Sequence, residues 1–216
     1  MTGPERSRAK PKPGYEVSVF INCPFDHKYK TVFNAVVFAV YDAGFYPRCA
    51  FELGDASQFR LQGITQIIQE CKYGIHDVSR TQLDRNRLPR FNMPLELGIF
   101  LGCKYFGGNP HQLKSCLVLD SEQYRYQKFI SDLAGQDVYA HNDEPKRAVF
   151  LVRDWLRQES ERIEIPDGQV IWRRFGRFQR RLPTICKRLK WNPQILKLKF
   201  VDYRYGIYDW LQDNAL

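Results

Sequence analysis

Long apolar runs are missing from this 216-residue chain, and nothing in it approaches the roughly twenty residues needed to span a bilayer. Its polar, proline-punctuated start has no apolar signal core, so a soluble, cytoplasmic protein without a membrane partner is expected. The six cysteines include no CxxC pair, and most sit in apolar runs such as Leu101-Gly102-Cys103. That favours buried free thiols over disulfides or a zinc site. Only four histidines occur, at 27, 76, 111 and 141, with no metal-ligand spacing among them. A glycine-rich dinucleotide fingerprint is absent, as is a phosphate loop ending in Gly-Lys-Ser or Gly-Lys-Thr. Hydride transfer and ATP hydrolysis lose most of their support on that ground, and no cofactor is expected.

What is present suffices for one substantial core, since 44% of the residues are hydrophobic. The net charge of +9 is concentrated towards the ends. Residues 1–14 carry four basic and one acidic side chain, and residues 166–216 carry eleven and four. Everything between is almost neutral, with eighteen basic and nineteen acidic residues. Three regions are therefore expected: a flexible basic leader (1–14), an α/β domain (15–165), and a basic, aromatic extension (166–216). The extension is too aromatic for a solvated tail and should pack on the domain or on a partner.

Along the domain, strands are expected at 15–21, 45–51, 73–78 and 113–119. Helices at 29–43, 60–72 and 93–106 alternate with them. The helix over 60–72 is the plainest, because Leu61, Ile64, Ile67, Ile68 and Cys71 recur at three- to four-residue spacing. A helix over 123–133, a fifth strand over 136–140 and a helix over 144–161 complete the domain. The extension contributes a basic helix over 175–189, broken near Pro183. Strictly alternating strands and helices imply a three-layer α/β fold of flavodoxin/Rossmann-like type, with a mostly parallel sheet covered on both faces.

Ligands of such sheets lie beyond the carboxyl ends of the strands. Asn22, Phe25 and Asp26 follow the first strand, Arg48 the second, and Asp77, Ser79 and Arg80 the third, while Arg60, Asn92, Met93 and Glu96 open helices. Asp77 and Glu96, about twenty residues apart, stand out as two acids that one crevice can bring together. Glu96 in a first helical turn would be kept ionised by free amide donors, as suits a nucleophile or a group stabilising positive charge at an anomeric carbon. An acid there also serves merely to complement the helix dipole. Asp77 either orients a hydroxyl, carries a proton, or caps the next element. Arg48 either pairs with Glu52 or holds a phosphate. Asn22 and Phe25 suit a sugar or base, although Asn at a strand end is also a common turn former.

Three segments carry a family resemblance: Val19-Phe20-Ile21-Asn22-Cys23-Pro24-Phe25, Gly74-Ile75-His76-Asp77-Val78-Ser79-Arg80, and Pro89-Arg90-Phe91-Asn92-Met93-Pro94-Leu95-Glu96-Leu97-Gly98. Together they resemble the nucleoside 2-deoxyribosyltransferase-like group, which is related in fold to TIR domains. The resemblance spans roughly residues 15–120. It implies that Glu96, in a Glu-Leu-Gly helix start, is the nucleophile, and that Asp77 helps bind sugar or base. It implies cleavage of an N-glycosidic bond, either deoxyribosyl transfer or hydrolysis of NAD, some relatives being effectors of bacterial phage defence. Arg90-Phe91-Asn92-Met93-Pro94 replaces the small residues that usually precede the family's glutamate, and this shifts the expectation towards TIR-like NAD cleavage.

The expected partners are accordingly a small nucleotide or nucleoside, with NAD as substrate, and a second copy or regulatory protein. The basic extension offers a surface for nucleic acid. Against the enzyme reading stands an interaction module, in which the α/β body binds nucleotide without chemistry or serves as scaffold.

Overall fold

A computed structural model of the chain describes residues 14–54, 59–81, 90–133, 135–192 and 197–215. Five strands form one parallel sheet: β1 (Ser18–Asn22), β2 (Tyr46–Arg48), β3 (Tyr73–Asp77), β4 (Ser115–Asp120) and β5 (Val138–Ala140). Their order is β2-β1-β3-β4-β5. The helices are α1 (Lys30–Asp42), α2 (Arg60–Gln69), α3 (Asn92–Phe106), α4 (Pro145–Ser160), α5 (Gly168–Arg188) and α6 (Phe200–Asp213). Strand side chains alternate between faces. Val19 and Ile21 of β1 accordingly join a core with α1, α4, α5 and α6, whereas Phe20 joins Ile64, Ile67, Ile68 and Phe100 of α2 and α3. This is a three-layer α/β fold of flavodoxin/Rossmann-like arrangement.

The helix α1 explains where α5 and α6 go. Every residue from Val32 to Val40 is buried, and a helix apolar all round must be covered on all sides. The sheet covers one side, and α5 and α6 cover another. Phe38 of α1 packs against Phe175, Phe178 and Trp210, with ring centroids 5.4–5.8 Å apart. Each such buried aromatic contributes about 1.5–3 kcal/mol. A buried ion pair fixes the register, since Arg174 Nε of α5 donates to both carboxylate oxygens of Asp42 at 3.0 Å.

Several local expectations change. Residues 15–17 form a 3-10 turn ahead of β1, and 50–52 form another after a shortened β2. Pro47 is accommodated because β2 is an edge strand. Residues 123–133 do not form one helix but two 3-10 turns, Arg125–Lys128 and Ser131–Leu133, entered through Tyr124 at φ +61°. The basic helix starts earlier than its charge pattern implies, because the Asp167 side chain caps it by accepting from Gln169 N–H at 2.8 Å. It also runs through Pro183 unbroken. The roughly 3 kcal/mol cost of an internal proline is offset by burial of Phe178, Leu182, Ile185 and Cys186 along one face. All six cysteines are free thiols. Residues 1–13, most of the expected leader, and 82–89, most of the loop ahead of α3, lie outside the described residues.

Candidate functional site

In this strand order the sheet's switch point lies between β1 and β3, where helices leave towards opposite faces. The carboxyl ends there are Asn22 and Asp77, and α3 brings Glu96 to the same edge. The carboxyl end of β3 and the start of α3 hold two acids in contrasting settings.

Asp77 is wholly buried, and both of its oxygens accept hydrogen bonds. Tyr29 Oη donates to Oδ2 at 2.5 Å, and Ser79 N–H donates to Oδ1 at 2.8 Å. His141, just beyond β5, supplies a third donor. Asp143 N–H donates to His141 Nδ1 at 3.0 Å, which places the ring proton on Nε2. Nε2–H then faces Asp77 Oδ2 at 2.8 Å and Ser79 Oγ at 3.0 Å. Serine and aspartate thus share one imidazole nitrogen. A nucleophilic serine needs them on opposite nitrogens, so this trio is no hydrolase triad. Burial and the neighbouring carboxylate hold the Tyr29 phenol well above its ordinary pKa, so it remains a donor.

Glu96 is also buried, at 8% exposure, yet its Oε2 has no hydrogen-bond partner among the described residues. It is the fifth residue of α3, which begins at Asn92 behind Phe91, and the first turn holds no acid. The expected free amides therefore do not reach it. Burial dominates instead and pushes its pKa up to about 7, partly countered by the Arg60 guanidinium. The sequence expectation of a firmly ionised carboxylate is corrected to one that is half protonated near neutrality.

The other expected site residues divide by what they touch. Asn22 and His76 are register partners on β1 and β3. Asn22 Nδ2 lies 3.1 Å from His76 Nδ1 and donates to Met93 O at 2.8 Å, so it anchors the first turn of α3 rather than facing a ligand. Burial pushes the His76 ring down to about 3, which keeps it neutral. Met93 is buried and Asn92 exposed at the helix start. Asp26 caps the approach to α1 by accepting from Tyr29 N–H at 3.0 Å, and its other oxygen pairs with Arg90 at 3.3 Å and Arg80 at 3.8 Å. Arg80 also reaches Asp143 at 3.4 Å. Arg48 is committed to Glu52 at 2.7 Å and Glu70 at 3.0 Å, the first of its two expected roles. Arg60 is exposed and opens α2.

Phe25 lines a cavity of about 250 Å³ at this rim, together with Phe33, Phe51 and Lys30. The Phe25 and Phe51 ring centroids are 4.1 Å apart, and Lys30 Nζ stands 5.2 Å from the Phe33 ring centroid. Burial lowers the Lys30 pKa. Asp26 and His27 also line the cavity, so an aromatic wall stands beside a polar edge, an arrangement that suits a planar ring with polar substituents.

Sequence reasoning missed Tyr29, Lys30, Phe51 and His141. His141 follows a strand end, which is the signal that marked Asp77. Asp120, buried at the end of β4, was missed with its partner Arg125, whose Nε donates to it at 2.9 Å. Among the described residues no group of three or more His, Cys, Asp or Glu is placed to hold a metal. Nor is any helix among them long and apolar enough to cross a membrane. Compared with known proteins, the chain matches no family model, no curated protein and no solved structure.

Proposed function

We propose that this chain binds a nucleotide or nucleoside in the crevice beyond β1 and β3, with the sugar against Glu96 and the base among Phe25, Phe33 and Phe51. The observation that carries this reading is the buried, unpartnered Oε2 of Glu96. An unsatisfied buried oxygen costs about 1–3 kcal/mol, and a ribose hydroxyl donating to it would recover that cost. The Rossmann-like architecture supports the choice of ligand, because such sheets bind nucleotides at this edge. Asp77 acts one layer behind, by holding Tyr29 and His141 in place.

A second reading, cleavage of the N-glycosidic bond, draws on the same carboxyl. With a pKa of about 7, a large fraction is ionised at neutral pH, and that anion is poorly solvated and hence reactive. A Glu96 oxygen would bond to C1′ as the bond to the base nitrogen breaks and its electron pair leaves with the base. Water, or a second base, then displaces Glu96 from C1′. NAD is the first substrate to try and a deoxynucleoside the second.

Calorimetry with NAD and with deoxynucleosides, followed by chromatography of the same mixtures, separates the readings. Saturable binding that Glu96→Ala weakens by about tenfold or more is the expected result. Free nicotinamide or free base, abolished by Glu96→Gln, would add cleavage. Binding with unchanged ligand leaves the first reading standing and removes the second. Absence of binding to every nucleoside and nucleotide offered overturns both.

A further inference from the structure

The outer helices α5 and α6 enclose a second cavity, of about 530 Å³, on the opposite side of the sheet from α3 and Glu96. One wall is α5, with Arg177, Arg180, Arg181 and Arg188 lining it. The other is α6, with Asp209, Trp210 and Asp213. The arginines are not equivalent. Arg188 pairs with Asp209, and Arg174, deeper in the same helix, is spent on Asp42 and on Asn214 O. Arg177, Arg180 and Arg181 form no ion pair among the described residues.

Those three arginines lie at three- and four-residue spacing on one helix. Like charges so placed repel and lower helix stability by a few tenths of a kcal/mol per pair. A solvated basic face usually disperses its charge or intersperses carboxylates. Here three exposed arginines line one concavity of the size that holds a small ligand. Guanidinium groups bind phosphate oxygens in a planar fork, and clustered guanidiniums suit adjacent phosphates. The acidic far wall discriminates further. Asp213 on that wall can accept from hydroxyl or amino groups.

We infer that the α5–α6 cleft is a binding site for a small, multiply phosphorylated molecule that also carries hydroxyl or amino donors, the chemistry of a nucleoside polyphosphate. Its phosphates meet Arg177, Arg180 and Arg181, and its donors meet Asp213. The site is independent of the reading given to Glu96.

Calorimetry on the full chain at near-physiological salt, with inorganic tripolyphosphate, ATP and a single-stranded oligonucleotide as probes, tests this. Tripolyphosphate and ATP should bind, ATP more tightly, and Arg177→Ala/Arg181→Ala should weaken both by about tenfold or more. Arg173 and Lys187 are as exposed as Arg177 and Arg181 on the same helix but lie outside the cavity, so Arg173→Ala/Lys187→Ala should change affinity less than about twofold. Glu96→Gln should leave tripolyphosphate binding intact, which separates this site from the sheet edge. Thermal shift gives a second readout, since tripolyphosphate should raise the Tm of the wild type and not of the Arg177/Arg181 variant. Three results overturn the inference: no binding of either phosphate probe, equal losses in the two double variants, or oligonucleotide binding tighter than ATP and abolished by the same pair. The last would make nucleic acid the occupant.

Discussion

Asp77 and Glu96 are both acids, both buried, and both at the carboxyl edge of one parallel sheet, yet they are finished to different degrees. Asp77 accepts from Tyr29, Ser79 and His141, so both of its oxygens are engaged within the fold. Glu96 accepts from no side chain or amide among the described residues at Oε2, and burial holds its pKa near 7. A fully bonded buried acid is architecture, because every donor around it depends on it. A buried acid with an open oxygen is a cost the fold carries, and the ligand hydroxyl proposed above would relieve it. Asp120 lies between these cases. Its Oδ2 is unpartnered, but its charge is matched by Arg125.

The sharpest way to break that contrast is to remove each acid in turn. Asp77→Ala strands three donors in the interior and should cost about 3–5 kcal/mol in denaturant unfolding. Glu96→Gln should cost nothing and, above pH 7, should stabilise. A similar loss in both variants would erase the distinction between them.

Next in size is the pH dependence. The folded-state pKa of Glu96 is raised above its unfolded value, from 4.5 to about 7. Its contribution to stability is therefore fully present below about pH 4.5 and is lost as pH rises through about 7. The expected loss is on the order of 3 kcal/mol. His76 works in the opposite direction, since its ring is pushed from 6.5 down to about 3. Its contribution is present above about 6.5 and lost as pH falls. Wild-type stability alone mixes the two, so the difference between wild type and Glu96→Gln across pH 4–8 is the quantity to measure. A flat difference would contradict the raised pKa.

The smallest effect belongs to Arg60, the exposed cation that partly counters burial at Glu96. Arg60→Ala should raise the Glu96 midpoint by a few tenths of a unit, as expected for a solvent-screened charge. A fall in the midpoint would mean that Arg60 does not act on Glu96 through its charge.

Much of this was legible in the sequence, for reasons that particular residues show. Alternating strands and amphipathic helices reveal themselves through local periodicity, and α2 announces itself through Leu61, Ile64, Ile67 and Ile68. Glu96 could be singled out because a lone acid between Met93-Pro94-Leu95 and Leu97-Gly98-Ile99 is conspicuous. Its protonation state could not, because that depends on how deeply α3 sinks and on where the helix begins. The partners of Asp77 were equally hidden. Tyr29 lies 48 residues before it and His141 lies 64 after, and only the assembled sheet brings them together. The aromatics of residues 166–216 did hint that this segment packs rather than trails, and α5 and α6 accordingly cover α1. The 123–133 segment misled because its apolar spacing fits a helix, while the backbone turns at Tyr124 to let Arg125 reach Asp120.

The most direct test of Glu96 as an acid left open for a ligand is its own titration, followed by carboxyl NMR on glutamate-labelled protein with and without NAD or a deoxynucleoside. The expected result is a midpoint near 7 in the free protein that moves when ligand binds. A midpoint at the ordinary value of about 4.5, indifferent to every nucleoside and nucleotide added, would contradict the account.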